Sequence, residues 1–184
     1  MRPTETLIAE HHAIEAMLGA TRGAAQRLAN GDHVDPQVFA EMVDFYANFA
    51  DRCHHAKEER ILFPRLAERG IPVDGGPIGV MLAEHEEGRA HIRGMRQAVE
   101  GIRAGDRLAV EKLIEHALGY ADLLAGHIRK ENVILFPMAD RALTEADEAE
   151  LGDAFERIEA EEMGEGVHER YHRMIHGYVE QYAL

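Results

Sequence analysis

The sequence predicts an all-α chain: an antiparallel up-down-up-down four-helix bundle over residues 1–143, with two extra C-terminal helices over residues 144–184 packed on it as part of the same domain. Three observations predict it. Ala, Leu, Glu and Arg are abundant while strand-type alternation is nearly absent. Long segments carry apolar residues in a 3-4-3-4 rhythm, the period of a helix with one buried face. Finally, the block from His54 to Pro64 recurs from His127 to Pro137, each copy holding His-x-x-x-Glu followed by Leu-Phe-Pro. Ala9-Glu10-His11 and Ala83-Glu84-His85 repeat at nearly the same interval, so the chain reads as one unit doubled.

The elements follow in order. A first helix runs from about Thr4 to Asn30 and stops at Asn30-Gly31. Asp35-Pro36 gives an N-cap and a proline at the first helical position, opening a second helix that runs to about Arg69 and stops at Gly70. Its Phe63-Pro64 step is expected to kink or divide it. Gly70 to Pro77 is a loop. A third helix spans about Ile78 to Ala104, and a fourth about Asp106 to Ala142 with a second Phe-Pro step at Phe136-Pro137. Thr144-Glu145-Ala146-Asp147 has the form of a capping box and opens a fifth helix. Gly164-Glu165-Gly166 breaks it, and a sixth covers about Val167 to Tyr182.

Length and charge bound the function. At 184 residues the chain suits one domain with a sizeable core. Asp and Glu total 34 against 20 for Lys and Arg, a net charge of −14, which repels phosphate backbones and argues against nucleic acid. No apolar run has membrane length, and Met1-Arg2-Pro3-Thr4 leads straight into an amphipathic segment rather than a signal peptide. The single Cys53 cannot form an internal disulfide and reads as an inert packed thiol; together these place the chain in the cytoplasm. Nothing resembles a Ser or Cys nucleophile arrangement, a phosphate loop or a dinucleotide fingerprint. The composition's oddity is 12 His, against about four at an ordinary usage of roughly 2%.

Those histidines fall on buried stripes. His85 interrupts the run Ile78, Met81, Gly88, Ile92, Met95, Val99; His11 sits between Leu7 and Ile14; His54 and Glu58 lie between Ala50 and Leu62; His127 and Glu131 lie between Leu124 and Ile134. Residues i and i+4 are about 40° apart around a helix and about 6 Å apart along it, so each His-x-x-x-Glu pair reaches one centre from successive turns. His11, His54, Glu58, His85, His127 and Glu131 thus converge from four helices. Burying them unpaired would cost several kcal/mol per carboxylate, a cost that metal binding removes. Two carboxylates able to bridge a metal pair, with about two His per metal, suit iron, with manganese second. A closed zinc site would favour thiolates.

The pattern His11, His54-x-x-x-Glu58 with Leu-Phe-Pro, Glu84-His85, and His127-x-x-x-Glu131 with Leu-Phe-Pro resembles the hemerythrin-like family, also called HHE cation-binding domains, over about residues 5–142. The resemblance implies a four-helix bundle around two iron ions, oxo- or hydroxo-bridged, in preference to Mn or Zn. It implies His11, His54, His85 and His127 as terminal ligands and Glu58 and Glu131 as bridges. Oxygen-carrying members have a further His four residues after the third-helix His, where this chain has Arg89, and an Asp five residues after the last His, where this chain ends the motif at Glu131. The chain is therefore more similar to the H-HxxxE-H-HxxxE branch, which holds di-iron proteins of iron–sulfur cluster repair, mycobacterial hemerythrin-like proteins and the iron-sensing domain of an F-box protein.

Further candidates surround this set. His55 and Glu59 follow two ligands directly; they read as a polar face, as residues supporting the ligands, or as a swap of ligand register. Glu15 and Arg89 occupy matching repeat positions; they read as two unrelated surface charges or as a pair that neutralise each other beside the site. Tyr120 shares the inward face with His127, as core or as a phenol near iron, and His116 reads as a hydrogen-bonded core or end-layer His. His168, Tyr171 and His172 share a face of the last helix, which either docks on the bundle or closes the site. The implied partners are small diatomic ligands or peroxide, for a monomer or homodimer; the rival reading is iron sensing, storage or donation.

Overall fold

The computed structural model describes residues 1–163 and 166–182, and among these all regular structure is helical. Helix α1 is Pro3–Ala29. Helix α2 starts as α-helix at Pro36–Phe45, passes through wider π-helical turns at Tyr46–His55 and Glu58–Leu62, and ends as α-helix at Phe63–Glu68. Helix α3 is Pro77–Arg103. Helix α4 runs as α-helix over Ala109–Lys130, as π-helix over Glu131–Leu135, and as α-helix over Phe136–Ala142. Helix α5 is Glu145–Glu162 and α6 is Val167–Tyr182. No helix among the described residues is long and apolar enough to cross a membrane.

The boundaries have local causes. Proline opens α1, α2 and α3, where its missing N–H and fixed φ cost nothing. Asp35 caps α2 by accepting the Gln37 N–H at 2.9 Å. Gly31, at φ +86°, ends α1 in a left-handed turn, with the Asp32 N–H reaching back to the Arg27 carbonyl at 2.9 Å. Gly105, at φ +83°, does the same for α3. Helix α4 begins at Ala109 rather than at Asp106, because the Asp106 side chain accepts the Leu108 N–H at 2.9 Å and holds that stretch as a turn.

The Phe-Pro steps do not divide their helices. Just ahead of each proline the helix widens: the Phe63 N–H bonds to the Glu58 carbonyl and the Phe136 N–H to that of Glu131, five residues back instead of four. A proline ring clashes with the carbonyl four residues earlier and offers it no donor. The wider turn absorbs both defects, and the helix then resumes. The widened turns begin at Glu58 and Glu131 themselves, the carboxylates of the two His-x-x-x-Glu motifs.

Contacts between neighbouring helices run in opposite directions. Along α1 and α4, Thr4 meets Asp140, His11 meets Asn132 and Arg22 meets Asp122. Along α2 and α3, Gln37 meets Arg103, Asp51 meets Arg89 and Glu59 meets His85. Along α1 and α2, Glu10 meets Lys57 and Thr21 meets Tyr46; along α3 and α4, Glu84 meets Lys130 and His91 meets His116.

The interior has two apolar clusters. The larger holds Ile14, Met17, Phe45, Tyr46, Ile92, Met95, Leu124 and Ile128, and the smaller Leu7, Leu62, Phe63, Ile78, Met81, Leu135 and Phe136. Each helix carries its His or Glu residues between the two: Leu7 then His11 then Ile14 on α1, Met81 then His85 then Ile92 on α3. A polar layer is thereby sealed on both sides by apolar packing.

Helices α5 and α6 dock outside. Leu151 and Phe155 of α5 enter the smaller cluster, and Tyr171, Ile175 and Tyr182 of α6 enter the larger. The expected capping box is formed: Thr144 and Asp147 bond each other's backbone N–H. Asp147, 1% exposed, also accepts two bonds from Arg69, both 2.8 Å, and one from Arg65. Arg69 foremost, with Thr144, holds the Asp147 carboxyl well below the usual carboxylate range. A depressed folded-state pKa stabilises above the unfolded value and is lost as pH falls. Asp147→Asn is therefore expected to lower the melting temperature at pH 7, with the gap to the parent closing progressively below about pH 4. Thermal melts at stepped pH measure this, and a gap that does not change on acidification contradicts it.

Candidate metal centre

His11, His54, Glu58, His85, His127 and Glu131 are each 1% exposed or less and meet in the layer between the two apolar clusters. Two sets of donor atoms lie within 4.8 Å of one another: His11, His54, Glu58 and Glu131 in one, and His55, Glu58, His85 and His127 in the other. His11, His54, His85 and His127 form two pairs. Nε2 of His11 is 3.0 Å from Nε2 of His54, and Nε2 of His85 is 3.1 Å from Nε2 of His127.

The carboxylates span these pairs. One oxygen of Glu58 is 3.6 Å from His54 Nε2 and the other is 3.4 Å from His85 Nε2. One oxygen of Glu131 is 3.3 Å from His127 Nε2 and the other is 3.2 Å from His11 Nε2. All four oxygens are buried, and none has a hydrogen-bond partner.

The opposite edge of each ring explains why. His54 Nδ1 donates to Glu10 at 2.8 Å, His127 Nδ1 to Glu84 at 3.0 Å, His85 Nδ1 to Glu59 at 2.7 Å and His11 Nδ1 to the Asn132 side-chain carbonyl at 2.8 Å. A neutral imidazole carries one N–H, so all four Nε2 atoms present lone pairs inward. Lone pairs facing lone pairs and carboxylates are mutually repulsive unless a cation lies among them. Two bonds of about 2.1 Å to one cation, at near right angles, set two nitrogens about 3.0 Å apart, which is the observed spacing. The residues present therefore fit a pair of cations, each facing two imidazoles and one oxygen from each carboxylate.

The electrostatics agree. Burial alone would push His11 and His85 toward their neutral forms, but Glu131 lifts the pKa of the first and Glu58 and Glu59 lift that of the second to about 9, so that without a cation protons take its place on these rings and metal binding displaces them to leave the neutral, inward lone pairs. Burial would likewise raise Glu131; His127 and His11 hold it well below the usual carboxylate range. The cage attracts positive charge strongly, as a cation site must.

The sequence repeat extends into the supporting residues. Glu10, one before His11, holds His54, and Glu84, one before His85, holds His127. Lys57 and Lys130, three after His54 and His127, bind Glu10 and Glu84 in turn. Phe63 stacks on His85 at 6.0 Å and Phe136 on His11 at 5.5 Å, so the Phe of each Leu-Phe-Pro packs against an imidazole. Glu10, Glu84, Lys57, Lys130 and Asn132 were not among the candidates from sequence. The signal was present: Glu-His and His-x-x-Lys-Glu repeat in phase with the ligands.

The other candidates divide. Glu59 supports His85, as the sequence allowed. His55 is buried at 3% exposure and stacks on His85 at 3.8 Å, with burial keeping its ring neutral. Arg89 does not pair with Glu15: it binds Asp51 at 2.7 Å, Glu59 at 2.8 Å and Glu86 at 2.6 Å, while Glu15 is exposed. Matching repeat positions put the two on different helices but do not bring the side chains together. Tyr120 lies in the larger apolar cluster with its ring against Tyr46 at 4.6 Å, and its hydroxyl has no partner. Tyr171 packs on Phe45 and Phe49 and donates to Asp44 at 3.0 Å, so it docks α6 on the first half of α2. The side chain of His168 lies outside the described residues. His116 meets His91 across α3 and α4 at 3.3 Å. Burial pushes the Cys53 thiol up to about 12, which keeps it protonated and unreactive.

Supporting carboxylates fix ring orientation and raise ligand basicity, and their loss typically costs about 10–100-fold in metal affinity. Glu10→Gln and Glu84→Gln are each expected to weaken metal binding by a factor in that range while leaving the helical content intact. Competition titration against a chromophoric chelator, with circular dichroism alongside, measures both. Unchanged affinity in both variants would show that these carboxylates are surface charges with no hold on the site.

Comparison with known proteins follows the same residues. The chain is 24% identical over 161 residues to Uncharacterized protein Mb2018 of Mycobacterium bovis and equally to Uncharacterized protein Rv1995 of Mycobacterium tuberculosis, covering 88% of this chain and 62% of each relative. It is 33% identical over 90 residues to the Iron-sulfur cluster repair protein YtfE of Dickeya chrysanthemi, covering 48% of this chain and 41% of that one. The chain thus spans about three fifths of the length of the mycobacterial relatives it matches. No solved structure matches. The profile of the Hemerythrin HHE cation binding domain matches residues 2–139, three quarters of the chain and every residue of the His and Glu cage, and the chain belongs to that family.

Proposed function

We propose that α1 to α4 form an antiparallel up-down-up-down four-helix bundle holding two iron ions, oxo- or hydroxo-bridged, and that this centre binds or reacts with dioxygen, peroxide or nitric oxide. The observation that carries the reading is the set of four buried, unpartnered carboxylate oxygens of Glu58 and Glu131, each directed at an imidazole Nε2. When bound, the iron pair supplies redox capacity and coordination positions left open by the protein. The chain's own residues do the rest. His11, His54, His85 and His127 supply the nitrogens, and Glu58 and Glu131 tie the two positions together. Glu10, Glu84, Glu59 and Asn132 fix each ring's tautomer. The apolar clusters on either side screen the layer from solvent.

A second reading is non-enzymatic iron sensing, storage or donation. The likeness to an iron–sulfur cluster repair protein favours it. So does the uncompensated burial of two carboxylates, which ties folding to metal occupancy. In either reading the lone buried Cys53 fits a reducing compartment, the cytoplasm.

Metal analysis with an ultraviolet–visible spectrum, on protein purified under iron-replete conditions, tests the centre. Two irons per chain with an oxo-to-iron band are expected, together with spectral change when the reduced protein meets air, peroxide or nitric oxide. One zinc per chain, or a spectrum inert to every oxidant, would overturn the redox reading. Rapid loss of iron to a weak chelator, with loss of helicity, selects sensing or donation over oxygen chemistry.

A further inference from the structure

We propose that His55 is a fifth imidazole of the centre, a ligand to the cation facing His85 and His127, so that the two cation positions are chemically unlike. The proposal rests on the metal-centre reading above and assigns His55 a role inside it. His55 shares one donor cluster with Glu58, His85 and His127, with donor atoms within 4.8 Å of one another. Its ring is 3% exposed and lies face to face with His85, centroids 3.8 Å apart and planes 18° apart, so one ring must turn about its Cβ–Cγ bond for both nitrogens to reach the same cation. Its Nδ1 is directed at Asp51, 3.4 Å away, which leaves Nε2 as the free nitrogen. That nitrogen is buried and has no partner. A buried polar atom normally finds a hydrogen bond; one that does not, beside other convergent donors, is placed as a ligand is placed.

The supporting residues single out the same side. Asp51, behind His55, is bound by Arg89 through Nε at 2.8 Å. The same guanidinium binds Glu59 at 2.8 Å, the residue that holds His85. Arg89 therefore fixes the backing of both rings at once. The repeat supplies an internal control: aligning His54 with His127 sets His55 against Ile128, Asp51 against Leu124 and Glu59 against Asn132. Ile128 and Leu124 are both buried in the larger apolar cluster. The His11 and His54 side thus has apolar packing where the other side has an imidazole and its carboxylate. The widened turns of α2 over Tyr46–His55 help seat two consecutive histidines inward, since a π-helix rotates successive residues by less than the usual 100°.

Mössbauer spectra of protein loaded with iron-57 test this, with iron per chain measured on the same samples. Wild type is expected to bind two irons and show two resolved doublets of equal area. His55→Ile, which copies the residue of the other repeat, is expected either to bring the doublets together or to lose one iron per chain. His55→Gly is expected to do the same, and added imidazole should restore the wild-type spectrum, which a purely packing role for His55 does not allow. Two irons per chain in a single doublet in wild type would overturn the proposal without any variant, which keeps it decidable if the variants do not fold. A His55→Ile spectrum identical to a two-doublet wild type would overturn it as well. No bound iron in wild type would instead sink the metal-centre reading itself.

Discussion

Two carboxylates in a dry interior are the constraint on which this structure depends. Glu58 and Glu131 are fully buried, and their four oxygens find no hydrogen-bond donor. The cost of burying an ion after relaxation is several kcal/mol, comparable with the whole net stability of a domain. Such groups persist only where a positive charge is meant to sit between them. The surrounding order follows from that requirement. Four helices each give one imidazole, every imidazole turns the same nitrogen inward, and apolar clusters on both sides keep the layer dry.

The outer layer is balanced charge by charge. Glu10 is bound by Lys57, Glu84 by Lys130, and Glu59 by Arg89, so each carboxylate that orients a ring has a cation of its own. Lys57, with no exposed surface, is also held by Glu159 of α5 at 3.1 Å. The fourth ring is oriented by the neutral Asn132, which requires no such cation. This accounts for the residues that occupy matching positions of the two repeats. Arg89 stands beside Glu59; the position equivalent to Glu59 in the other repeat is the neutral Asn132, which needs no cation, and Glu15, the counterpart of Arg89, is exposed. With the outer layer neutralised, Glu58 and Glu131 are left as the negative charge directed into the His and Glu cage.

The helices and the six central donors were legible because both rest on spacing. A period of 3.6 residues places i and i+4 on one face whatever the tertiary context, and caps such as Thr144 with Asp147 act within a single turn. What spacing does not encode is direction across helices. Arg89 and Glu15 lie at equivalent positions on α3 and α1, but the anions that reach Arg89 from another helix, Asp51 and Glu59, come from α2. Tyr171 shares a face with other polar residues of α6, yet that face meets Phe45 and Phe49 rather than the His and Glu layer. The widened turns were hidden for a related reason. Proline signals a defect, and whether the helix bends, stops or widens depends on how firmly the segments on either side are packed. Here Leu62 and Phe63, and Leu135 and Phe136, are all buried in one cluster, so the helix keeps its course and widens.

Widening also has a consequence for the site. A turn closed five residues back lengthens the helix circumference at the carboxylate end of each His-x-x-x-Glu motif, and the proline that forces it is six residues beyond the Glu. The Phe preceding that proline stacks on the imidazole donated by another helix: Phe63 of α2 on His85 of α3, Phe136 of α4 on His11 of α1. The Leu-Phe-Pro sequence therefore acts in two ways at once. Its proline sets the backbone geometry that carries the buried carboxylate, and its phenylalanine packs against the ring of a neighbouring helix. A motif outside the donor set thus governs both the spacing and the dryness of the cage, which is why it recurs with the donors when the unit is doubled.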